Sequence, residues 1–138
     1  MSRTILVVDD EPDILLAARL MLEAAGWVVM EAGTGEEALK LAEAEKTDVE
    51  AVFLDLRMPG LDGWGVLREL RAKGISHLPV IVLSAYFDPL AVEQSVELGA
   101  EGYVSKPFRS VDLTRVVEAV LGPVSAANRT IGRSEDIL

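Results

Sequence analysis

The stretch Ile5-Leu6-Val7-Val8-Asp9-Asp10-Glu11-Pro12 shows the pattern on which the predicted fold rests. Four consecutive apolar residues, three of them β-branched, are typical of a strand that is buried on both faces. The aspartates end this run, and Pro12 suits the first turn of a helix, where its missing N–H loses no hydrogen bond. Apolar residues then recur at helical spacing as far as Gly26, a residue typical of a helix end. The segment therefore predicts a strand, a polar loop and a helix.

The same cycle recurs four more times along the chain. We predict strands at Val28–Met30, Ala51–Leu54, Pro79–Leu83 and Tyr103–Ser105, and helices at about residues 34–45, 63–73, 90–98 and 110–121. Ser110 is predicted to cap the last helix. Strands separated by helices must run parallel, because a tight hairpin joins only antiparallel neighbours. Five such units predict an α/β fold, a doubly wound five-stranded parallel sheet with helices on both faces.

Length and charge narrow the class of protein. The chain has 138 residues, 50% hydrophobic and 26% charged, which is the composition of one domain with an ordinary core. Thirteen Lys and Arg against 23 Asp and Glu give a net charge of −10, and nucleic-acid phosphates would repel such a surface. No apolar run approaches the ~18 residues of a membrane span, and the first residues are unlike a signal peptide. We therefore expect a cytoplasmic protein that binds neither nucleic acid nor membrane directly.

The residue types that are scarce or absent exclude further chemistries. There is no cysteine, hence no disulfide, thiolate nucleophile or zinc–thiolate site. His77 is the only histidine, so a multi-histidine zinc site is excluded. The segment Gly33-Thr34-Gly35-Glu36-Glu37-Ala38 fits a dinucleotide-binding pattern, but two glutamates in the first helical turn would repel a pyrophosphate. Thr34 followed by Glu37 is better interpreted as a capping box.

Five polar residues stand at or directly after the ends of predicted strands: Asp9, Asp10, Asp55, Ser84 and Lys106. In a parallel sheet the carboxyl ends of the strands share one edge, where ligand sites form. Neighbouring strands lie ~5 Å apart, so the three carboxylates would repel one another strongly unless a cation joins them. Carboxylate oxygens suit a hard divalent ion, and Mg²⁺ is the most available one. The pattern predicts a Mg²⁺ site at this edge.

A carboxylate placed between a metal ion and an ammonium group can accept a phosphoryl group. In the predicted arrangement Asp55 would supply the attacking oxygen, while Mg²⁺ and Lys106 would neutralise the phosphate oxygens. The hydroxyl of Ser84 would donate a hydrogen bond to the product phosphate. The product would be an acyl phosphate on Asp55.

Four separate motifs carry a family resemblance: Val7–Glu11, Leu54–Gly60, Leu83–Ala85 and Tyr103–Phe108. In this order they resemble the receiver domain of two-component response regulators, over roughly residues 4 to 121. The resemblance implies a flavodoxin-like sheet with strand order 2-1-3-4-5 and a receiver domain at residues 1–121. Residues 122–138 lack a sustained apolar period and are interpreted as a linker or C-terminal tail, too short for an output domain.

The resemblance also implies how phosphorylation would occur. Asp55 would be the phosphoacceptor, and the donor would be a phosphohistidine on a sensor histidine kinase or phosphotransfer protein, or a small acyl phosphate. Asp10 and Asp55 would bind Mg²⁺ through their side chains and Arg57 through its backbone carbonyl. Asp9 would act mainly through water.

A conformational switch is a further implication of the resemblance. Ser84 and Lys106 would bind the phosphoryl oxygens, Ser84 would move toward the phosphate, and Tyr103 would turn inward, although an aromatic residue here equally suits packing. The surface that changes would be the fourth helix, fifth strand and fifth helix. A downstream protein, or an output domain absent from this chain, would read it, and a homodimer could form through it. Arg57 and Tyr86 stand two residues after Asp55 and Ser84, where side chains overhang the pocket in this family, and our hypothesis is that Tyr86 at this rim partly shields the acyl phosphate from water.

Two other functions fit parts of the pattern. Aspartyl-phosphate phosphatases also place a nucleophilic aspartate at a strand end with Mg²⁺, but they need a second acid two residues later, where Arg57 stands here. A constitutive interaction domain would be favoured if Asp10, Asp55 or Lys106 were missing, and all three are present. The expected function is therefore signalling, with no catalysis beyond the domain's own phosphotransfer and autodephosphorylation.

Overall fold

A computed structural model describes residues 3–44, 48–75, 78–85 and 88–121, in which strands and helices alternate as predicted. The strands are β1 (Thr4–Val8), β2 (Val28–Ala32), β3 (Val49–Asp55), β4 (Val80–Ser84) and β5 (Gly102–Ser105). The helices are α1 (Pro12–Ala24), α2 (Gly35–Glu43), α3 (Gly63–Ala72), α4 (Pro89–Glu97) and α5 (Ser110–Leu121). Within the described ranges, none of the helices is long and apolar enough to cross a membrane. His77, Tyr86 and residues 122–138 lie outside these ranges, so the expectations for them stay predictions.

The sheet has the predicted topology. Its five strands are parallel and lie in the order β2-β1-β3-β4-β5. The ladders hold the strand ends in register, with Asp55 opposite Leu83 of β4 and Ser84 opposite Ser105 of β5. The carboxyl ends of β3, β4 and β5 therefore meet along one edge, and β1 ends beside β3 at the same edge.

Two hydrophobic clusters cover the two faces of the sheet. Ile5 and Val7 of β1 belong to the cluster with α1 and α5, whereas Leu6 and Val8 belong to the cluster with α2 and α3. All four side chains are at most 1% exposed, which explains why β1 is a continuous apolar run and not an alternating one. With both faces covered, the carboxyl edge is the part of the sheet left for a polar site.

Two strands are longer than the apolar runs predict, and the added part of each contains a glutamate that pairs with an arginine. In β2, Glu31 Oε2 accepts a hydrogen bond from Arg19 Nε at 2.8 Å. In β3, Glu50 Oε1 accepts a hydrogen bond from Arg3 Nη2 at 3.2 Å. These partners are 12 and 47 residues away along the chain, so the local sequence does not reveal them.

The N-terminus of α2 confirms the predicted capping interaction. Thr34 Oγ1 accepts a hydrogen bond from Glu37 N at 3.1 Å, and Glu37 Oε1 accepts one from Gly33 N at 2.9 Å. The glutamate thus reaches one residue further back than in the standard capping box. Two backbone N–H groups that a bound phosphate would need are satisfied within the protein.

The predicted cap at Ser110 is wrong. Ser110 is the first residue of α5, and the carbonyl of Arg109 accepts the first helical hydrogen bonds. Asp112 Oδ2 in turn accepts a hydrogen bond from Arg109 N at 2.8 Å. The carboxylate in the first turn thus satisfies the N–H of Arg109, the residue before the helix, as the acidic member of a capping box does.

Candidate functional site

The carboxyl edge of the sheet forms a polar cleft. The loops after β1, β3, β4 and β5 line it with Asp10, Glu11, Asp55, Leu56, Arg57, Leu83, Ser84, Ala85 and Lys106. Asp9 is 0% exposed and contacts Lys106 directly. The fold therefore brings together all the residues predicted at the strand ends: Asp9, Asp10, Asp55, Ser84 and Lys106.

Main-chain hydrogen bonds continue the sheet ladders past the strand ends and fix these positions. Asp9 N donates to Ala32 O at 3.1 Å, and Lys106 N donates to Ser84 O at 2.7 Å. Asp55 is itself the last residue of β3. Because these anchors are backbone groups, the positions of the aspartates and the lysine follow from the topology of the sheet.

The loop after Asp55 returns closely to the strand end, and Gly63 permits this. Gly63 N donates to Leu56 O at 3.0 Å. A Cβ at Gly63 would lie 2.4 Å from the carbonyl oxygen of Asp55, far inside van der Waals contact. Any larger residue would push the start of α3 away from the cleft.

Three carboxylates form an acidic cluster. Asp9, Asp10 and Asp55 each offer one oxygen, and these atoms all lie within 4.8 Å of one another. Asp9 and Asp55 are buried and Asp10 is exposed, while Asp9 Oδ1 also accepts a hydrogen bond from Glu11 N at 2.9 Å. Hard oxygen donors that converge in this way fit the preferences of Mg²⁺. One open side, at Asp10, leaves room for the waters that this ion retains.

Lys106 places a positive charge among these carboxylates. Its Nζ lies 2.7 Å from Asp9 Oδ2, 3.4 Å from Asp55 Oδ1 and 3.5 Å from Glu11 Oε1. Burial disfavours the charged ammonium, yet the pKa of Lys106 is raised because Asp9, Asp55 and Glu11 surround it. The peptide bond to Pro107 is cis. The contact with Glu11 was not predicted, since nothing in the sequence aims this exposed side chain at the lysine.

The two buried aspartates are electrostatically unfavourable as a pair. Burial, reinforced by the charge of Asp9, raises the pKa of Asp55 to about 6. Burial likewise raises the pKa of Asp9, although Lys106 opposes the shift. One lysine therefore does not fully compensate the cluster. A further cation would relieve the remaining repulsion, which is independent support for the fit of a divalent ion.

Removal of the Asp55 charge is expected to stabilise the protein in the absence of Mg²⁺. The folded-state pKa of about 6 lies above the ordinary value of 3.8, so ionised Asp55 destabilises the folded state at neutral pH. This penalty is fully present above about pH 6, decreases as the pH falls, and disappears below the ordinary value of 3.8. Asp55→Asn should therefore raise the free energy of unfolding at pH 7.5 by about 1–3 kcal/mol. Urea unfolding with a metal chelator measures it.

The pH dependence supplies the control for this prediction. The stability difference between Asp55→Asn and the wild type should shrink toward zero as the pH falls below the ordinary value of 3.8, where Asp55 becomes neutral in both states of the wild type. Carboxylates that do not contact Asp55 titrate equally in both proteins and cancel in the difference, whereas Asp9 is coupled to Asp55 and contributes to it. A variant that is less stable than the wild type at pH 7.5 would contradict the unfavourable cluster.

The two predicted switch residues occupy different surroundings. Ser84 is 9% exposed at the end of β4 and lines the cleft, as predicted. Tyr103 is half-buried on β5 and lines a groove against α5 with Asp112 and Arg115, outside the cleft. Its aromatic ring also packs against the α2 and α3 side of the core. Tyr86, predicted at the rim, lies outside the described residues.

Arg57 lies in the cleft wall but its side chain points elsewhere. Arg57 Nη2 donates to Asp88 Oδ2 at 2.9 Å, and the guanidinium carbon lies 5.4 Å from the centre of the Trp64 ring. Asp88 is the residue that caps α4. The sequence did not predict either contact, because Asp88 is 31 residues away and follows a different strand.

Comparison with known proteins decides the family. The family described as Response regulator receiver domain matches residues 5–118. The chain belongs to this family. The receiver domain is 40% identical over 121 residues to the alkaline phosphatase synthesis transcriptional regulatory protein PhoP of Bacillus subtilis (strain 168), which covers 88% of this chain and 49% of PhoP. It is 44% identical over 124 residues to the transcriptional regulatory protein KdpE of Mycobacterium tuberculosis, covering 89% of this chain and 53% of KdpE.

Solved receiver structures have the same fold. The receiver domain of sensor histidine kinase PA1611 from Pseudomonas aeruginosa PAO1, described with a magnesium ion coordinated in the active site cleft, matches with a TM-score of 0.79 and 30% identity. The match covers 88% of this receiver domain and 99% of that chain. The chemotaxis protein CheY4 of Vibrio cholerae matches with a TM-score of 0.79 and 27% identity, over 87% and 99% of the two chains. The receiver domain spans about half the length of the curated relatives named above.

Proposed function

We propose that this receiver domain accepts a phosphoryl group on Asp55 in the presence of Mg²⁺. The observation that supports this most strongly is the position of Lys106, whose ammonium lies within 3.5 Å of Asp9, Asp55 and Glu11 in a half-enclosed cleft. A phosphoryl group carries several negatively charged oxygens. The ammonium of Lys106 is held where those oxygens would lie, so it can neutralise part of their charge. The donor would be a phosphohistidine of a sensor histidine kinase or phosphotransfer protein, or a small acyl phosphate.

The residues present fit a Mg²⁺ ion. Asp10 and Asp55 would hold it through carboxylate oxygens and Arg57 through its backbone carbonyl, with the buried Asp9 acting through water. When bound, Mg²⁺ would supply positive charge to the phosphoryl oxygens. The magnesium ion in the cleft of the PA1611 receiver domain supports the assignment by similarity.

The chain's own groups account for the transfer. An oxygen of Asp55 forms a bond to phosphorus while the bond from phosphorus to the donor's imidazole nitrogen or acyl oxygen breaks. The leaving group keeps the electron pair of that bond. Lys106 can turn from Asp55 to a phosphoryl oxygen without leaving Asp9, and the Ser84 hydroxyl donates to another phosphoryl oxygen. Later attack by water on phosphorus returns the Asp55 carboxylate and inorganic phosphate.

The phosphoryl group would signal through a change of surface. Ser84 would move toward the phosphate, and Tyr103 would respond on β5, so the altered face is α4, β5 and α5. A downstream protein, or an output domain outside residues 1–121, would read this face, and a homodimer could form through it. A cytoplasmic location is part of the same proposal, because the phosphohistidine donor acts there.

Addition of Mg²⁺ should stabilise the folded protein. A ligand that binds only the folded state adds about 1.4 kcal/mol when its free concentration is about ten times its dissociation constant. We expect a rise of several degrees in Tm, measured by calorimetry against NaCl of equal ionic strength. Asp10→Asn should lose most of this rise. The control Asp13→Asn, an exposed acid in the first turn of α1, should keep it. An unchanged Tm in the wild type would contradict the metal site.

A turnover assay separates a receiver domain from a phosphatase. Arg57 stands where a phosphatase needs its second acid, and its guanidinium is paired with Asp88. We therefore expect one phosphoryl group per chain with acetyl phosphate and Mg²⁺, and no turnover of p-nitrophenyl phosphate. Many turnovers of the ester per chain would favour the phosphatase. No phosphate gain from acetyl phosphate or a phosphohistidine protein would favour a constitutive interaction domain.

A further inference from the structure

Arg57 joins the N-terminus of α4 to the cleft. Arg57 donates from Nη2 to Asp88 Oδ2 at 2.9 Å, while Asp88 Oδ1 accepts a hydrogen bond from Ala91 N at 3.2 Å and so caps α4. The guanidinium of Arg57 also lies over the ring of Trp64, on the first turn of α3. We call these three side chains, Arg57, Trp64 and Asp88, the arginine clamp.

The arginine clamp holds the N-terminal end of α4, a helix that buries few of its residues. Of its residues α4 buries only Ala91 and Ser95. Its other end is held by Arg71 of α3, which donates from Nη2 to Gly99 O at 2.9 Å, while Nη1 of the same side chain is fixed by a bond of 2.9 Å to Ile75 O in the loop after α3. Those bonds are half-buried, whereas the side chain of Arg57 is 69% exposed. The clamp is thus the weaker of the two attachments and the one beside the cleft.

The clamp also restrains the backbone of the cleft. Arg57 lies two residues after Asp55 and lines the cleft beside it, and the carbonyl of Arg57 belongs to the proposed Mg²⁺ ligands. Rotation of the Arg57 backbone would move this carbonyl and the side-chain root together. A side chain fixed by both Trp64 and Asp88 therefore limits the orientations that the carbonyl can adopt.

We infer that the arginine clamp positions the Arg57 carbonyl and thereby couples the metal and phosphoryl site to the N-terminus of α4; this inference rests on the proposed function. Coupling is reciprocal, so a clamp that favours Mg²⁺ binding must itself be favoured by bound Mg²⁺ to the same degree. Arg57 and its two partners act as positioning residues. They touch neither the phosphoryl group nor, through their side chains, the metal.

The experiment measures Mg²⁺ binding with Trp64 as the reporter. Trp27, the other tryptophan, stacks on Arg3 at the opposite end of the sheet and is replaced in the background variant Trp27→Phe. In this background Asp88→Asn removes the charge of the pair but keeps a good helix cap, because asparagine caps as well as aspartate. Asp112→Asn is the matched control, since Asp112 forms an equally exposed ion pair with Arg109 in the first turn of α5.

Three results are expected. Asp88→Asn shifts the Trp64 emission in the absence of metal and weakens Mg²⁺ binding by about two- to fivefold, the range of an exposed ion pair. Trp64→Leu, followed by calorimetric titration, weakens Mg²⁺ binding to a similar degree, and the double variant is weakened by less than the product of the two effects. Asp112→Asn changes neither the emission nor the affinity.

The outcomes separate the inference from the proposed function. Wild-type Mg²⁺ affinity in both Asp88→Asn and Trp64→Leu would overturn the coupling while leaving the proposed function intact. Unchanged metal-free emission in Asp88→Asn would show that the clamp does not form, and this too overturns the inference. Absence of Mg²⁺ binding in the wild-type chain would contradict the proposed metal site, and the coupling would fall with it.

Discussion

Asp55→Asn is expected to abolish phosphorylation of this receiver domain, the largest effect that we predict. The amide is nearly isosteric with the carboxylate but offers no anionic oxygen to attack phosphorus. The other cleft residues remain in place, since Asp55 is anchored as the last residue of β3. Intact mass after incubation with acetyl phosphate and Mg²⁺ should show one added phosphoryl group in the wild type and none in the variant.

Asp10→Asn is the informative companion to this variant. It removes an exposed carboxylate from the same cluster but leaves the attacking oxygen of Asp55. It should slow phosphorylation and raise the Mg²⁺ concentration required, without abolishing the product. Equal phosphate gain in Asp55→Asn and the wild type would show that another residue is the acceptor.

Lys106→Met is expected to produce the second largest effect. The substitution keeps an unbranched side chain one atom shorter than lysine and removes the only cation within 4 Å of Asp9 and Asp55 in the described residues. Loss of one preorganised charge at a reacting centre slows a reaction by about 10²–10³-fold, so we expect phosphorylation to slow by about that factor. The measurement is the rate of phosphate gain at saturating Mg²⁺.

The same variant should also be less stable without Mg²⁺. Two buried carboxylates lose their counter-ion, which we expect to lower the free energy of unfolding by about 1–3 kcal/mol, less than for a fully enclosed pair because Lys106 retains some exposure. Lys73→Met is the control, since Lys73 pairs with Glu43 on an exposed surface at 3.7 Å. That change should affect stability by less than about 1 kcal/mol and leave the phosphorylation rate unchanged. Equal effects of the two substitutions would contradict the role of Lys106.

Most of the fold could be predicted from apolar runs, because burial of a strand on both faces is visible in the residues of that strand alone. β1 is buried on both faces, so its four apolar residues stand in an unbroken run that only a central strand requires. The limits of β2 and β3 could not be predicted in the same way. In the sequence, Glu31 and Glu50 are typical of loops. Their partners Arg19 and Arg3 come close only in the folded chain.

The cap of α5 shows a different limit. Serine is a common cap, and Ser110 precedes an apolar helical stripe, so the sequence favours it. In the structure Asp112 reaches back to Arg109 N instead, and the helix begins at Ser110. Residue preference favours serine as a cap, but it does not indicate that the carbonyl of Arg109 accepts the first helical hydrogen bonds and that the helix begins one residue later, at Ser110.

The central residues of the site could be predicted because all of them stand at the carboxyl ends of parallel strands. The carboxyl ends of parallel strands share an edge, and Asp9, Asp55 and Lys106 each stand at such an end. The contacts of Glu11, and those of Arg57, depend on the paths of loops and on side-chain rotamers. Those features arise only when the loops are packed, so residue spacing could not indicate them.

The negative charge of the chain also gains a meaning from the site. The net charge of −10 first served to exclude nucleic acid as a direct partner. Part of the acidic excess, Asp9, Asp10, Glu11 and Asp55, converges on one cleft with one lysine. The excess is thus in part a local concentration of negative charge, which the proposed Mg²⁺ ion would reduce together with Lys106.

Direct location of the phosphoryl group tests the central claim most closely. The wild-type chain is incubated with acetyl phosphate and Mg²⁺, the acyl phosphate is reduced with borohydride, and the modified residue is identified by peptide mass spectrometry. We expect a single modified position, Asp55, as homoserine. Modification at Asp9, at Asp10 or at a residue outside the cleft, or an unmodified chain with every donor tried, would contradict the account.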